Sequence, residues 1–106
     1  MQEINATDAA QRLTESPTTT VLLDVREAQE LALARIAGAV HIPMGEIPAR
    51  LAEIDTTKTI ICMCRSGGRS AQVADFLARQ GYTKVFNLTG GIHAWSDLVD
   101  SSIPKI

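Results

Sequence analysis

Four short apolar segments alternate with stretches of helical periodicity along this chain, and this alternation limits its fold more than any other feature of the sequence. The apolar segments are Val21–Val25, Ala39–Ile42, Thr59–Met63 and Val85–Leu88. Strands that alternate with helices are typical of a parallel sheet with helices packed on both faces. The sequence therefore predicts an α/β fold with three layers, α/β/α, around a parallel sheet.

The helices between these strands are predicted to be short. Thr7 is the expected N-cap of the first helix, with Ala10 and Leu13 facing the core. Ligands of such sheets bind beyond the carboxyl ends of the strands, where Cys64 and Thr89–Gly91 are expected to lie. The other predicted helices are Arg26–Arg35, Ile47–Ile54, Ala71–Gln80 and Ile92–Leu98.

Length and charge narrow the classes of protein that this chain can belong to. Its 106 residues are expected to form a single domain, residues 1–106. The formal net charge of −2, with no basic face, argues against nucleic acid or a membrane surface as partner. The N-terminus lacks a secretory signal pattern, and the longest apolar run, Ile60–Cys64, is too short to cross a bilayer. We expect a cytoplasmic protein.

The segment Cys64–Ser70, here called the cysteine loop, is the most informative part of the chain for function. Cys64 ends an apolar run, and helical periodicity begins just after the loop. In a strand–loop–helix turn of this kind the backbone amides converge and stabilise an anion. An isolated cysteine is only about 3% thiolate near pH 7, and a helix N-terminus and nearby cations lower its pKa. The sequence therefore predicts a nucleophilic thiolate at Cys64.

The other residues of the cysteine loop fit an anion-binding pocket. The two glycines can adopt positive φ, the two arginines supply positive charge, and Ser70 is the expected N-cap of the following helix. The alternative is a glycine-rich turn with Cys64 merely buried at the end of a strand, and the density of glycine and arginine argues against it. The predicted anion-binding residues are Arg65, Ser66, Gly67, Gly68, Arg69 and Ser70.

Four side chains outside the loop also invite a functional interpretation. Asp24 and Arg26 can be read as acid–base groups, but their place at the end of a strand favours a structural pair that supports the neighbouring loop. His93 can be read as a base for Cys64, but its place on an ordinary helix favours a surface or packing role. Trp95 is expected to be a core anchor.

The second cysteine and the histidines give little support to redox or metal chemistry. Cys62 is expected on the same side of its strand as Cys64, and a disulfide between them would be strained. Cys62 is therefore interpreted as a small core residue, with a resolving thiol as the alternative. Zinc would need two more ligands, and His41 and His93 lie at no ligand-like spacing, so no metal site is predicted.

Three segments of the chain resemble the rhodanese family of sulfurtransferases. They are the cysteine loop, Leu23–Glu27 followed by Ile36–Pro43, and Gly90–Trp95. The resemblance runs from about Asn5 to Leu98, with the segments in the same order as in the family. It implies a five-stranded parallel sheet with the strand order 3-2-4-5-1.

The resemblance also implies an activity. A rhodanese would move sulfane sulfur from a small anionic donor such as thiosulfate, or from a persulfide, onto Cys64. The resulting persulfide would pass its sulfur to cyanide or to a thiol acceptor, including a thioredoxin-like or sulfur-relay protein. No cofactor is needed for this chemistry.

Two alternatives to a thiosulfate sulfurtransferase stay open. One is a persulfide carrier that a partner protein loads, because fold and loop chemistry are common to carriers and enzymes. The other is a phosphatase or arsenate reductase, classes that share the scaffold by resemblance but use a loop one residue longer. In this chain Ser70, and not an arginine, stands six positions after Cys64. The shorter loop favours sulfur over a tetrahedral phosphate.

Overall fold

Five parallel strands form one sheet at the centre of the molecule. The computed structural model describes residues 1–105. The strand order is β1-β5-β4-β2-β3, and each neighbouring pair is parallel. Read from the other edge, this is the predicted order 3-2-4-5-1, which is therefore confirmed. The strands are β1 Gln2–Ile4, β2 Thr20–Asp24, β3 Val40–His41, β4 Thr59–Met63 and β5 Val85–Leu88.

Strand β1 has no counterpart among the apolar segments of the sequence. It has three residues, of which Ile4 alone is buried, so it shows neither an apolar run nor a clear alternation. It pairs with β5 at the edge of the sheet, in the register Gln2 with Phe86 and Ile4 with Leu88. Pairing with a strand from the far end of the chain thus makes this short segment a strand.

Within residues 1–105, four α-helices and two 3₁₀ segments accompany the strands, and the last helix follows β5. The predicted helix Arg26–Arg35 is too long, since the observed helix is six residues and begins with its own capping box. The small helix predicted over Ile47–Ile54 is confirmed, as the 3₁₀ segment Pro48–Glu53. The α-helices are α1 Ala6–Glu15, α2 Ala28–Leu33, α3 Gly68–Arg79 and α4 Gly91–Leu98, and the 3₁₀ segments are Met44–Glu46 and Pro48–Glu53.

The N-cap of α1 is Asn5, and the prediction of Thr7 at this position is wrong. The Asp8 amide donates a hydrogen bond of 2.8 Å to Asn5 Oδ1. Asn and Thr are both good N-cap residues, and here the helix begins two residues earlier than Thr7 would allow. The early start lets Ala6 and Ala9 pack in the core at 0% exposure.

Two hydrophobic clusters cover the two faces of the sheet. Strand β4 supplies both, because its side chains alternate: Ile60 and Cys62 join the cluster that contains α3, and Ile61 and Met63 join the other. The second cluster contains Ala9 of α1 together with Ile92 and Trp95 of α4. The three-layer α/β/α arrangement predicted from the sequence is confirmed. Within residues 1–105, no helix has the length and apolar character that a membrane span requires.

Candidate active site

Cys64 follows β4 directly and lies at the carboxyl edge of the sheet, 1% exposed. Helix α3 begins four residues later, at Gly68, and Gly67 is its N-cap. Gly67 has φ +117°, a conformation that residues with a Cβ rarely adopt. This tight turn places the sulfur at the N-terminus of a 12-residue helix, where the partial positive charge of the helix favours an anion.

Hydrogen-bond donors surround the sulfur of Cys64. The Gly67 amide donates to Sγ at 3.1 Å, and the Ser70 hydroxyl lies 3.3 Å from it. Burial on its own raises the pKa of the Cys64 thiol, but the Ser70 hydroxyl and the amides of Ser70, Gly67 and Ser66 outweigh it. The pKa of Cys64 therefore lies below its ordinary value, and a larger share of the residue is thiolate.

Ser70 is not the N-cap of α3, so that prediction is wrong. Two glycines precede it, and because Gly67 supplies the left-handed turn, Ser70 falls inside the first helical turn. Its side chain is 0% exposed and points at the candidate nucleophile. There the hydroxyl lies within hydrogen-bond distance of the sulfur and does not cap the helix.

Asn87 of β5 completes the surroundings of Ser70, and the sequence analysis did not single it out. Ser70 Oγ lies 2.6 Å from Asn87 Oδ1, and Asn87 Nδ2 donates to the Gly67 carbonyl at 3.2 Å. Asn87 is 3% exposed. A polar residue in a buried strand was the available signal, because such a side chain needs partners.

Arg69 forms a bidentate ion pair with Glu30 of α2. Its Nη1 and Nη2 lie 2.6 and 2.8 Å from the two carboxylate oxygens of Glu30. Chiefly through these hydrogen bonds, Arg69 lowers the pKa of Glu30 to about 2. One of the two loop arginines is thus tied to a carboxylate that sequence analysis did not single out.

The remaining loop residues lie at the surface of the site. Arg65, Ser66 and Gly68 are exposed. The backbone carbonyls of Cys64 and Arg65 instead face inward, towards the N-terminus of α4. These three residues therefore form the solvent-facing side of the loop.

Backbone amides at the N-terminus of α4 donate hydrogen bonds to the cysteine loop. The Ile92 amide donates to the Cys64 carbonyl at 2.9 Å, and the His93 amide donates to the Arg65 carbonyl at 3.3 Å. Gly91, with φ +58°, makes this approach possible, because a Cβ there would lie 2.5 Å from the Arg65 carbonyl oxygen. Amides at the start of α4 therefore satisfy carbonyls of the loop and fix its position.

Asp24 and Arg26 form a buried ion pair at the end of β2. Arg26 Nη2 lies 2.7 Å from Asp24 Oδ2, and both side chains are 1% exposed. The same Nη2 donates to the Ala34 carbonyl at 2.9 Å. The pair thus links the start of the segment that carries α2 to its end at Ala34. This link also helps to fix the position of Glu30 on α2.

The sequence analysis also weighed Cys62, Trp95 and His93. Cys62 is 0% exposed and free, and burial, with a smaller contribution from Cys64, raises its pKa to about 12. Trp95 packs in the second hydrophobic cluster, and His93 is half-buried on α4. Across residues 1–105, no three His, Cys, Asp or Glu side chains come together as a metal site.

Comparison with known proteins identifies the family. The sequence model of the rhodanese-like domain matches residues 5–98. The chain belongs to the rhodanese-like family. A protein of Allochromatium vinosum named sulfurtransferase is 40% identical over 96 residues, which are 91% of this chain and 89% of that protein.

Two further comparisons extend this result. The crystal structure of a rhodanese-like domain protein from Staphylococcus aureus matches with a TM-score of 0.84 and 31% identity, covering 100% of this chain and 99% of that one. A Bacillus subtilis protein named as a sulfur carrier is 41% identical over 75 residues, 71% of this chain and 40% of that protein. Relatives of this rhodanese-like chain thus carry the names of sulfurtransferases and of a sulfur carrier, and the resemblance seen in the sequence is confirmed.

Proposed function

We propose that this rhodanese-like protein transfers sulfane sulfur through a persulfide on Cys64. The observation that carries the proposal is the set of donors around the sulfur, the Gly67 amide at 3.1 Å and the Ser70 hydroxyl at 3.3 Å. They hold the pKa of Cys64 below its ordinary value, as a nucleophilic thiolate requires. The sulfurtransferase name of a relative with 40% identity supports the same chemistry.

The proposed reaction is a double displacement. The Cys64 thiolate attacks the outer sulfur of thiosulfate, a new S–S bond forms, and the bond to the sulfonate sulfur breaks, so that sulfite leaves with the electron pair. An acceptor, cyanide or a thiolate, then attacks the terminal sulfur of the persulfide and releases Cys64 as thiolate. The loop amides would stabilise the terminal persulfide anion, and Arg65 and Arg69 would hold the anionic end of the donor.

A persulfide carrier is the second candidate, and one observation favours it. Both Nη atoms of Arg69 are engaged by Glu30, so the loop offers a dianion such as thiosulfate less positive charge than its two arginines supply. A persulfide presented by a partner protein needs less positive charge than thiosulfate does. The relative named as a sulfur carrier supports this candidate. A cytoplasmic location belongs to either form of the proposal, since a reducing compartment keeps the free thiol of Cys64 available.

Intact-mass analysis after incubation with thiosulfate tests the proposal. The wild type should gain one sulfur atom, cyanide should remove it as thiocyanate, and Cys64→Ser should gain none. Cys62→Ala is the matched control, because it removes the other thiol and leaves Cys64 in place; it should load like the wild type. Loading of the Cys64→Ser variant would refute the assignment of Cys64.

The same measurement separates the two candidates. Rapid loading by thiosulfate with multiple turnovers to cyanide supports the enzyme. Slow loading of Cys64 by thiosulfate, together with fast loading by a persulfide on a partner protein, supports the carrier. Absence of loading by both donors, in folded protein with reduced Cys64, would contradict both.

A further inference from the structure

The Ser70 hydroxyl has one proton and three acceptors within reach. Oγ lies 2.6 Å from Asn87 Oδ1, 3.3 Å from Cys64 Sγ and 3.3 Å from the Gly67 carbonyl oxygen. A hydroxyl donates only one hydrogen bond at a time. The distance to Asn87 is that of a hydrogen bond between oxygens. The longer distance to Cys64 is also that of a hydrogen bond, because sulfur is larger than oxygen. The two acceptors therefore compete for one proton.

The orientation of the Asn87 side chain is fixed by the backbone. Its Nδ2 donates to the Gly67 carbonyl at 3.2 Å, which leaves Oδ1 as the atom that faces Ser70. A flipped amide would place two carbonyl oxygens against each other. Gly67 also donates its own amide to Cys64 Sγ at 3.1 Å. The buried side-chain amide of Asn87 therefore contacts two of the residues that donate to the sulfur, Ser70 and Gly67.

We propose that Asn87 is a positioning residue that competes with the Cys64 sulfur for the Ser70 proton and so sets how much of Cys64 is thiolate. While the sulfur is protonated, the Ser70 hydroxyl donates to Asn87 Oδ1. When the sulfur loses its proton to solvent, the hydroxyl turns and donates to the thiolate, because hydrogen bonds to a charged acceptor are the stronger ones. The S–H bond is the only covalent bond that breaks. The inference rests on the proposed role of Cys64 as the nucleophile.

Other charged and titratable groups also face this site, and the test has to leave them unchanged. Arg69 of α3, paired with Glu30 of α2, interacts electrostatically with Cys64. Cys62 of β4 lies close enough for Cys64 to contribute to its raised pKa. Asn87 contacts neither Arg69 nor Glu30, but it pairs directly with Cys62 across β4 and β5. The alkylation of Cys62 therefore has to be followed separately from that of Cys64 in each Asn87 variant.

Two substitutions at Asn87 should shift the ionisation of Cys64 in opposite directions. Asn87→Asp places a stronger acceptor against the Ser70 hydroxyl and should raise the midpoint of the Cys64 alkylation profile by about one pH unit. Asn87→Ala removes the competing acceptor and should lower that midpoint by roughly half a unit. The measurement is the rate of alkylation by iodoacetamide against pH, with tandem mass spectrometry to locate the label on Cys64 or Cys62, between which only Met63 lies.

The Ser70→Ala background is the control that identifies the route. There the shift from Asn87→Ala should disappear and the shift from Asn87→Asp should fall below half, because only direct charge repulsion is left. Shifts in the same direction for both variants, or undiminished shifts without Ser70, would overturn the proposal. If Asn87→Asp does not fold, the sign of the Asn87→Ala shift decides. The alkylation rate measures the fraction of Cys64 that is thiolate, and it does not measure sulfur transfer. This proposal and the proposed function can therefore fail separately.

Discussion

Glu30 is the residue that most changes the electrostatics expected of the cysteine loop. From the sequence, Arg65 and Arg69 both supply positive charge to an anionic donor. In the structure the Glu30 carboxylate takes both Nη atoms of Arg69 at 2.6 and 2.8 Å. The pair is only partly exposed, with 35% for the arginine and 23% for the glutamate side chain, so solvent screens it incompletely. Glu30 thus opposes the attraction of a dianion to the loop.

Glu30→Gln should therefore speed the loading of Cys64 by thiosulfate. A favourable change of roughly 1 kcal/mol, typical of one ion pair near the surface, corresponds to about a fivefold increase in the second-order rate. Loading rates measured over a range of salt concentrations check this, and the increase should shrink as salt rises.

Glu53→Gln is the matched control for this prediction. It also removes a carboxylate from an arginine pair, the one with Arg50, but outside the cysteine loop. Its loading rate should equal that of the wild type. Slower loading of Glu30→Gln would instead mean that Glu30 serves to hold Arg69 in its working orientation.

The partners of Glu30 and Asn87 could not be found from the sequence, and the reason is the same for both residues. Glu30 contacts a residue 39 positions away, and Asn87 contacts residues 17 and 20 positions away. Sequence patterns report periodicity and local turns, so Cys64 and its glycines were visible and the side chains that reach them from other elements were not. Ser70 was noticed for its type, but its partner was misjudged.

At the scale of elements, the contact between α4 and the cysteine loop depends on Gly91. Amides at the start of α4 bond the carbonyls of Cys64 and Arg65, and the approach leaves no room for a Cβ. This contact joins the loop after β5 to the loop after β4. The carboxyl ends of two neighbouring strands are thereby held in one rigid unit.

Gly91→Ala should destabilise the protein and disturb Cys64 together. Positive φ alone costs roughly 1–2 kcal/mol for a residue with a Cβ, and the clash with backbone carbonyls adds to it. Urea unfolding and sulfur loading of the same variant measure the two effects.

Gly38→Ala separates the effect of positive φ from the effect of the clash. Gly38 also has positive φ, +85°, but a Cβ there would meet no atom within 4 Å. It should show the loss of stability from φ without a change in loading. Equal behaviour of the two variants would contradict a role for Gly91 in positioning the loop.

The secondary-structure elements with a strong local sequence pattern were predicted, and strand β1, which has no such pattern, was not. Strands β2 and β4 are apolar runs, and α3 has Val73 and Leu77 on one buried face. Strand β1 has a single buried residue, and its partner β5 lies at the other end of the chain. The fifth strand was therefore expected only from the family resemblance.

For the whole molecule, the ion pair between α2 and α3 makes stability depend on pH. The pKa of Glu30 is lowered from 4.5 to about 2 in the folded protein. A carboxyl group whose pKa is lowered by folding stabilises the folded protein at pH values above its unfolded pKa of 4.5. This stabilisation is lost as the pH falls towards about 2. Between these two pH values the folded protein keeps the ion pair, and its stability falls because Glu30 takes up a proton in the unfolded chain.

Urea unfolding of the wild type and Glu30→Gln at several pH values tests this dependence. Near pH 7 the wild type should be more stable by about 1 kcal/mol, a magnitude reduced for the partial exposure of the pair. Near pH 3 most of this difference should be gone. A difference that stays constant across this range would show that Glu30 stabilises the protein by packing and not by charge.

The pairing of β1 with β5 has a consequence for the order in which a newly made chain matures. Cys64 emerges from the ribosome before Asn87 and Gly91, and β1 cannot pair until β5 has been made. Until then Asn87 and the start of α4 cannot hold the loop, and Cys64 behaves more like the cysteine of an unfolded chain. The contacts that fix the cysteine loop therefore come from residues that follow Cys64 in the sequence.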